Sequence, residues 1–241
     1  MKEEWKKQGF IDEPVAEGTD LKAEIRKLCE QKNAIVLAHY YTRGEIQEVA
    51  DFIGDSLALA RKAADTDAKI IVMCGVHFMA ETCKILSPDK LVLAPDLNAG
   101  CSLADSCKAE DLKKYKDEHP AALVLAHPEC KGPVLACADV VGSTAVLLKY
   151  STENPDKEYI VATEAGILHE MQRACPQTKF YPVPPEISEG GVGCSCNECD
   201  YMKMNTLLKI YNALRYEWPS VEVDPEVARE AVKPIERMLS I

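Results

Sequence analysis

A surplus of basic residues is missing from this chain: 28 Lys and Arg stand against 39 Asp and Glu, for a formal net charge of −11. Nonspecific nucleic-acid binding is excluded by that balance, since phosphate contacts draw on a Lys/Arg excess. A small anionic substrate is not excluded, because a local pocket can be positive on an acidic surface. Long apolar runs are missing too, and none approaches the ~20 residues of a membrane span, so no membrane partner is expected. The start, Met1-Lys2-Glu3-Glu4-Trp5-Lys6-Lys7, carries no apolar stretch of the secretory kind, and a cytoplasmic location is expected. No low-complexity tract and no long linker interrupts the sequence, which argues against independently moving domains. What is present, 47% hydrophobic and 28% charged residues over 241 positions, suits one soluble globular domain or two similar ones of roughly a hundred residues.

The chain repeats itself. Ile35-Val36-Leu37-Ala38-His39 returns as Leu123-Val124-Leu125-Ala126-His127, an offset of 88, the difference between 127 and 39. The same offset joins Ala50-Asp51 to Ala138-Asp139, Gly54 to Gly142, Ser56 to Thr144 and Pro88 to Pro176. Several residue types recurring at one spacing indicate an internally duplicated fold, with a site expected where the copies face each other.

Residues 1–19 read as a polar, weakly ordered lead-in, and Leu21, Ile25 and Leu28 at i, i+4 and i+7 as an amphipathic helix after Thr19-Asp20. In the first copy, strands are expected at 34–38, 52–53, 69–74 and 91–94, with helices at 45–50, 57–64 and 78–86. In the second, strands fall at 122–126, 140–141, 159–162 and 180–183, with helices at 134–138, 144–149 and 167–173. A helix over 109–118 joins the copies, and two helices near 204–216 and 225–239 follow a glycine- and cysteine-rich loop. Strands alternating with helices predict an α/β fold of repeated αβα units, each with a short parallel four-stranded sheet. The corresponding segments are 1–32, a lead-in and helix; 33–120, the first repeat; 121–199, the second; and 200–241, the C-terminal helices.

Ligands of open parallel sheets sit beyond the carboxyl ends of the strands. His39 and Tyr41 fall there in the first copy, His127 and Glu129 in the second. A lone histidine is more often a structural hydrogen-bonder, but one repeated at a strand's carboxyl end favours function. Glu129 is a candidate general acid or base, with His39 and His127 sharing the proton work; its bland alternative is a solvated loop carboxylate. Ser56 and Ser143-Thr144 follow a glycine and precede a helix, where hydroxyls commonly cap. The same geometry aims N–H groups and the helix dipole at an anion, as a substrate with carboxylates or phosphate requires.

Eleven cysteines is a high and odd count, and in a reducing compartment ligation is a sharper reading than disulfides. Cys29, Cys74, Cys83, Cys137 and Cys175 lie in apolar surroundings and read as small buried hydrophobes. Cys101 follows the last strand of copy one; Cys194, Cys196 and Cys199 follow that of copy two. Thiolates on two facing loops suit iron–sulfur or zinc, while Cys-x-Cys-x-x-Cys also suits half a zinc knuckle or a redox pair.

Taken in order, Ala38-His39-Tyr40-Tyr41, Gly54-Asp55-Ser56-Leu57, Cys74-Gly75-Val76-His77 with Glu81-Thr82, Pro95-Asp96, Ala99-Gly100-Cys101-Ser102-Leu103-Ala104-Asp105, Ala126-His127-Pro128-Glu129-Cys130, Gly142-Ser143-Thr144 and Cys199 with Met202-Lys203-Met204-Asn205 resemble the motif series of the quinolinate synthase family. The resemblance implies an enzyme of de novo NAD biosynthesis that condenses iminoaspartate with dihydroxyacetone phosphate to quinolinate, losing phosphate and water. It implies a [4Fe-4S] cluster on three cysteines, one iron open as a Lewis acid, with Cys101 and Cys199 in the first and third ligand positions. His39, Ser56, His127, Glu129, Ser143 and Thr144 fall at substrate-contacting positions, with Tyr41 and Glu129 the main proton carriers and His39 and His127 beside them.

The family has three αβα units, and this chain has two. Its middle unit, with a Trp-x-Gly-x-Cys-x-x-His motif, has no counterpart, and the junction falls at Lys116-Asp117-Glu118-His119-Pro120. Cys107, Cys130, Cys194 or Cys196 could replace the missing thiolate, or a partner chain in a homo-oligomer could supply a unit. The competing expectation is a metal- or iron–sulfur-binding protein on the same scaffold, without synthase turnover.

Overall fold

The structure, a computed structural model, describes residues 2–101, 107–163, 167–183 and 199–240, except the side chains at 144, 145, 169 and 170. The chain divides into two compact units, Met1–Cys101 with Cys196–Val223 and Ser102–Ser195 with Asp224–Ile241.

In the first unit α1 (Glu3–Gln8) and α2 (Leu21–Lys32) precede β1 (Ala34–His39), α3 (Gly44–Gln47), β2 (Phe52–Gly54), α4 (Ser56–Asp65), β3 (Ile70–Cys74), α5 (His77–Leu86) and β4 (Leu91–Leu93). All pairings are parallel, in the order β2-β1-β3-β4. Every residue of β3 is buried, as a central strand covered on both faces requires. One face carries Val36, Ala38, Val72 and Leu93 against Ile25 and Cys29 of α2. Ile210, Ala213 and Leu214 of α11 (Leu207–Tyr216) complete that layer. Each fully buried Val, Leu or Ile side chain among them contributes about 1.5–3 kcal/mol, the alanines less.

The second unit repeats the plan with α6 (Ala109–Glu118), β5 (Leu123–Ala126), α7 (Gly132–Leu135), β6 (Val140–Val141), α8 (Thr144–Glu153), β7 (Tyr159–Ala162), α9 (Ile167–Ala174) and β8 (Phe180–Pro182). Its sheet order, β6-β5-β7-β8, is the first one repeated, again parallel throughout. Leu125, Leu147, Tyr159, Val161, Ile167 and Met171 form its core. Helix α12 (Pro225–Leu239) packs on α7 and β6. Both strand–helix alternation and parallel pairing therefore follow the sequence expectation.

The duplication extends to single hydrogen bonds. Asp51 accepts the Val36 N–H at 2.7 Å and is held by Arg26 at 2.7 Å. Asp139 accepts the Val124 N–H at 2.8 Å and is held by Lys116 at 3.0 Å. Each carboxylate ties the start of the second strand to the first, which fixes the pairing register. The turn leading into it is tight: Val49 and Ala50 donate to Ile46 and Gln47, as Cys137 and Ala138 do to Val134 and Leu135. Those three-residue spacings end α3 and α7 early, so both are shorter than the expected 45–50 and 134–138. Gly54 and Gly142 need the absence of a side chain, since a Cβ would come 2.9 Å from the Ala58 Cβ and 2.5 Å from the Val146 Cγ1.

The lead-in expected to be weakly ordered is instead folded. Trp5 on α1 is buried against Tyr216 with ring centroids 5.0 Å apart, and buried Asn212 donates to the carbonyls of Ile11 and Glu13. No helix among the described residues is long and apolar enough to cross a membrane.

Candidate functional site

Parallel strands deliver their carboxyl ends to one edge, and in the order β2-β1-β3-β4 the chain reverses direction between β1 and β3, where such sheets take ligands. His39 is the last residue of β1 rather than part of the following loop, and lies in register with Gly54. It is 6% exposed. The N–H of Tyr41 donates to its Nδ1 at 3.2 Å, and the Tyr41 ring meets it edge-on with centroids 4.5 Å apart. Tyr41 itself is 62% exposed, its phenol open to solvent.

The second unit builds the same device around a different side chain. The N–H of Glu129 donates to Nδ1 of His127 at 3.3 Å, and the Glu129 carboxylate stands 3.7 Å from the same nitrogen. An imidazole that accepts at Nδ1 carries its proton at Nε2 when neutral. Burial pushes both imidazoles below their ordinary value, opposed by Asp55 at His39 and by Glu129 at His127. Both therefore offer a neutral Nε2–H donor at neutral pH. We expect each to titrate below the ordinary 6.5 in the folded chain, read from imidazole shifts in pH-dependent NMR and assigned with His39→Gln and His127→Gln. Stability from the neutral forms is full above the unfolded value and declines as pH falls through it, because the unfolded chain then takes up the extra protons. Midpoints at or above 6.5 would contradict the burial argument.

The Ser56 and Ser143 hydroxyls expected to cap helices do not do so. Asp55 is the cap of α4, accepting the Ala58 N–H at 2.8 Å, and Ser56 stands one place inside the helix. Ser143 occupies the cap position of α8 without a side-chain cap hydrogen bond, and Thr144 opens that helix. An aspartate at the end of α4 already answers the helix dipole, whereas the end of α8 carries no such charge and is the better anion seat.

Cys101 is preceded by a firmly built loop. Asp96, 3% exposed, accepts from Lys209 and from the Asn98 N–H and side chain. Leu97 donates to Gly9, and His77 to Ala99. Cys199 occupies the cap position of the short α10 (Asp200–Lys203) without a side-chain cap hydrogen bond, and the end of α10 is pinned by Asn205 to Met202 and Gly75 and by Arg43 to Lys203. Among the described cysteines of this unit, Cys29, Cys74 and Cys83 are buried, and Cys101 and Cys199 are half-exposed. Burial pushes Cys29 up to about 11, Cys83 up to about 12 and Cys74 higher, which holds them as thiols. The half-exposed pair thus fits thiolate ligation. Among the described residues no group of three or more His, Cys, Asp and Glu stands ready to hold a metal ion, and Cys194 and Cys196 lie outside the described residues.

His77 was not singled out by its sequence. It opens α5 after β3, with its Nδ1 buried and without a hydrogen-bond partner among the described residues, and its Nε2 3.7 Å from Glu81. Its sequence signals are its place in the Cys74-Gly75-Val76-His77 motif and, as His39 follows β1, its place after a strand and Gly75.

The family described as NadA, quinolinate synthetase A protein, matches residues 23–125 and 108–240. The quinolinate synthase of Prochlorococcus marinus (strain MIT 9303) is 38% identical over 308 positions, covering 92% of this chain and 91% of that protein. That of Nostoc punctiforme is 38% identical, with 92% and 94% covered, and that of Ehrlichia chaffeensis 37% identical, with 90% and 96% covered. The first two alignments are 308 positions long against 241 residues here, so part of each relative stands opposite no residue of this chain.

Proposed function

The chain belongs to the quinolinate synthetase A family of enzymes, and from that premise we propose that it condenses iminoaspartate with dihydroxyacetone phosphate to quinolinate, losing phosphate and water, in NAD biosynthesis. The observation that carries this reading is the pair of imidazoles at equivalent strand ends, His39 buried and His127 half-buried, each with Nδ1 engaged by a main-chain N–H and Nε2–H left to donate. Neutral donors of this kind hold carboxylate or carbonyl oxygens without bringing a charge that would have to be desolvated.

A [4Fe-4S] cluster is part of the proposal, with Cys101 and Cys199 as two of its ligands and the third unassigned. When bound it supplies a Lewis-acidic iron that polarises an oxygen of the substrate. The other roles belong to the chain. His39 and His127 orient the dicarboxylate and the carbonyl through Nε2–H. Ser143 and the first N–H groups of α8 receive the phosphate or a carboxylate, with Thr144 beside them and Ser56 serving the first unit. Glu129, half-buried next to His127, takes and returns protons during condensation, dehydration and ring closure, and the exposed phenol of Tyr41 serves as a second carrier.

A second reading, a cluster-binding protein without turnover, is favoured by the stretch of the relatives that has no counterpart here. Anaerobic reconstitution with iron and sulfide, followed by a quinolinate assay with both substrates, separates the two. The synthase reading expects product from the loaded chain. A full complement of iron and sulfide with no quinolinate would select the binder.

A further inference from the structure

Lys209 on α11 has no part in the chemistry above, yet within the first unit it reaches two segments at once. Its ammonium pairs with one oxygen of Asp96, the two side chains being 17% and 3% exposed. The same nitrogen donates to the Met204 carbonyl at 3.1 Å and stands over the Phe10 ring, 4.0 Å from its centre. Asp96 lies five residues before Cys101, and Met204 five residues after Cys199. One ammonium therefore spans the loop that leads to the first half-exposed thiol and the turn that follows the second. Both attachments are firm. The other Asp96 oxygen accepts from the N–H and the side chain of Asn98, each at 2.9 Å; Asn98 donates in turn to the Gln8 carbonyl at 2.7 Å, and Phe10 bridges to Asp96. On the other side Asn205, wholly buried, ties Met202 to Gly75. A carboxylate as buried as Asp96 is costly without its cation, and an ammonium has three donors to distribute, so the spanning geometry is well determined.

We propose that Lys209 is the positioning residue of the thiolate pair: by joining the Cys101 loop to the Cys199 turn it sets how the two sulfurs are presented to iron, and so slows loss of the metal. The inference rests on the reading of Cys101 and Cys199 as ligands. Lys209 acts through Asp96 and the Met204 carbonyl. Ligands carried on separate segments must be brought into place when metal binds, and a link already made in the metal-free chain removes much of that ordering cost. Groups that orient a metal's ligands in this way carry about 10–100-fold of its affinity.

The test follows iron released to a ferrous chelator from the anaerobically reconstituted full chain. Lys209→Met is expected to release it about 10–100-fold faster than the parent. That substitution leaves the Asp96 carboxylate buried without its cation, so a double variant, Asp96→Asn with Lys209→Met, removes both charges. The link to Met204 is still missing there, and fast release is expected again. Asn212→Ala is the comparison. Asn212 lies on the same helix, wholly buried, and its amide holds the carbonyls of Ile11 and Glu13, so its loss loosens the chain away from both cysteine segments. It should release iron at the parental rate even where its melting temperature falls as far as that of the double variant. In the metal-free chain, amide hydrogen exchange at 96–100 and at 201–204 is expected to rise together in the double variant, and at neither in Asn212→Ala. Release that tracks melting temperature across all three variants would reduce Lys209 to a stabilising contact and overturn the proposal. So would exchange that rises in one segment alone. A parent chain that holds no iron overturns the ligand reading and this inference with it, whereas parental retention in the double variant overturns this inference only.

Discussion

Glu129→Gln is expected to lower kcat for quinolinate formation by about 10²–10⁴-fold, the usual worth of a positioned acid–base group. Glutamine keeps the length and planarity of the side chain, and it keeps the main-chain N–H that engages Nδ1 of His127. Its amide neither takes nor returns a proton at neutral pH. The loss should therefore fall on turnover, with iron content, visible cluster absorption and substrate KM close to those of the parent. An unchanged rate would remove Glu129 from the proton work and leave it a solvated loop carboxylate 3.7 Å from an imidazole.

Removing either proposed cluster thiolate should have the larger effect. Cys101→Ser and Cys199→Ser are each expected to bring iron and sulfide after anaerobic reconstitution to background and to abolish quinolinate formation. Cys137, the other half-exposed thiol among the described cysteines, is the comparison: Cys137→Ser should load as the parent does. The contrast rests on position. Cys101 follows a loop fixed by the Asp96–Lys209 pair, and Cys199 precedes a helical turn anchored by Asn205. A parent-like iron stoichiometry in either variant would show that its sulfur is not a ligand.

The parts of this fold that a local pattern encodes were legible in the sequence. The offset of 88 carried over to Asp51 and Asp139, to Gly54 and Gly142, and to the two sheet orders, because each copy solves the same packing problem with the same residues. Long-range contacts were not legible. Nothing near Trp5 or Ile11 announces that Tyr216 and Asn212, at the other end of the chain, hold them. Serine suits a cap position, yet Asp55 precedes Ser56 and its carboxylate is the acceptor that Ala58 uses. At the candidate site, the repeated histidines were visible as a coincidence of sequence, but their shared tautomer is a property of the folded main chain.

That property separates frame from payload. Because the peptide N–H two places on selects which imidazole nitrogen is protonated, the side chain at that place has no part in the selection, and one copy bears a phenol where the other bears an acid. Twin halves that began alike could thus acquire unlike reactive groups by exchanging a single residue, with the neighbouring histidine undisturbed.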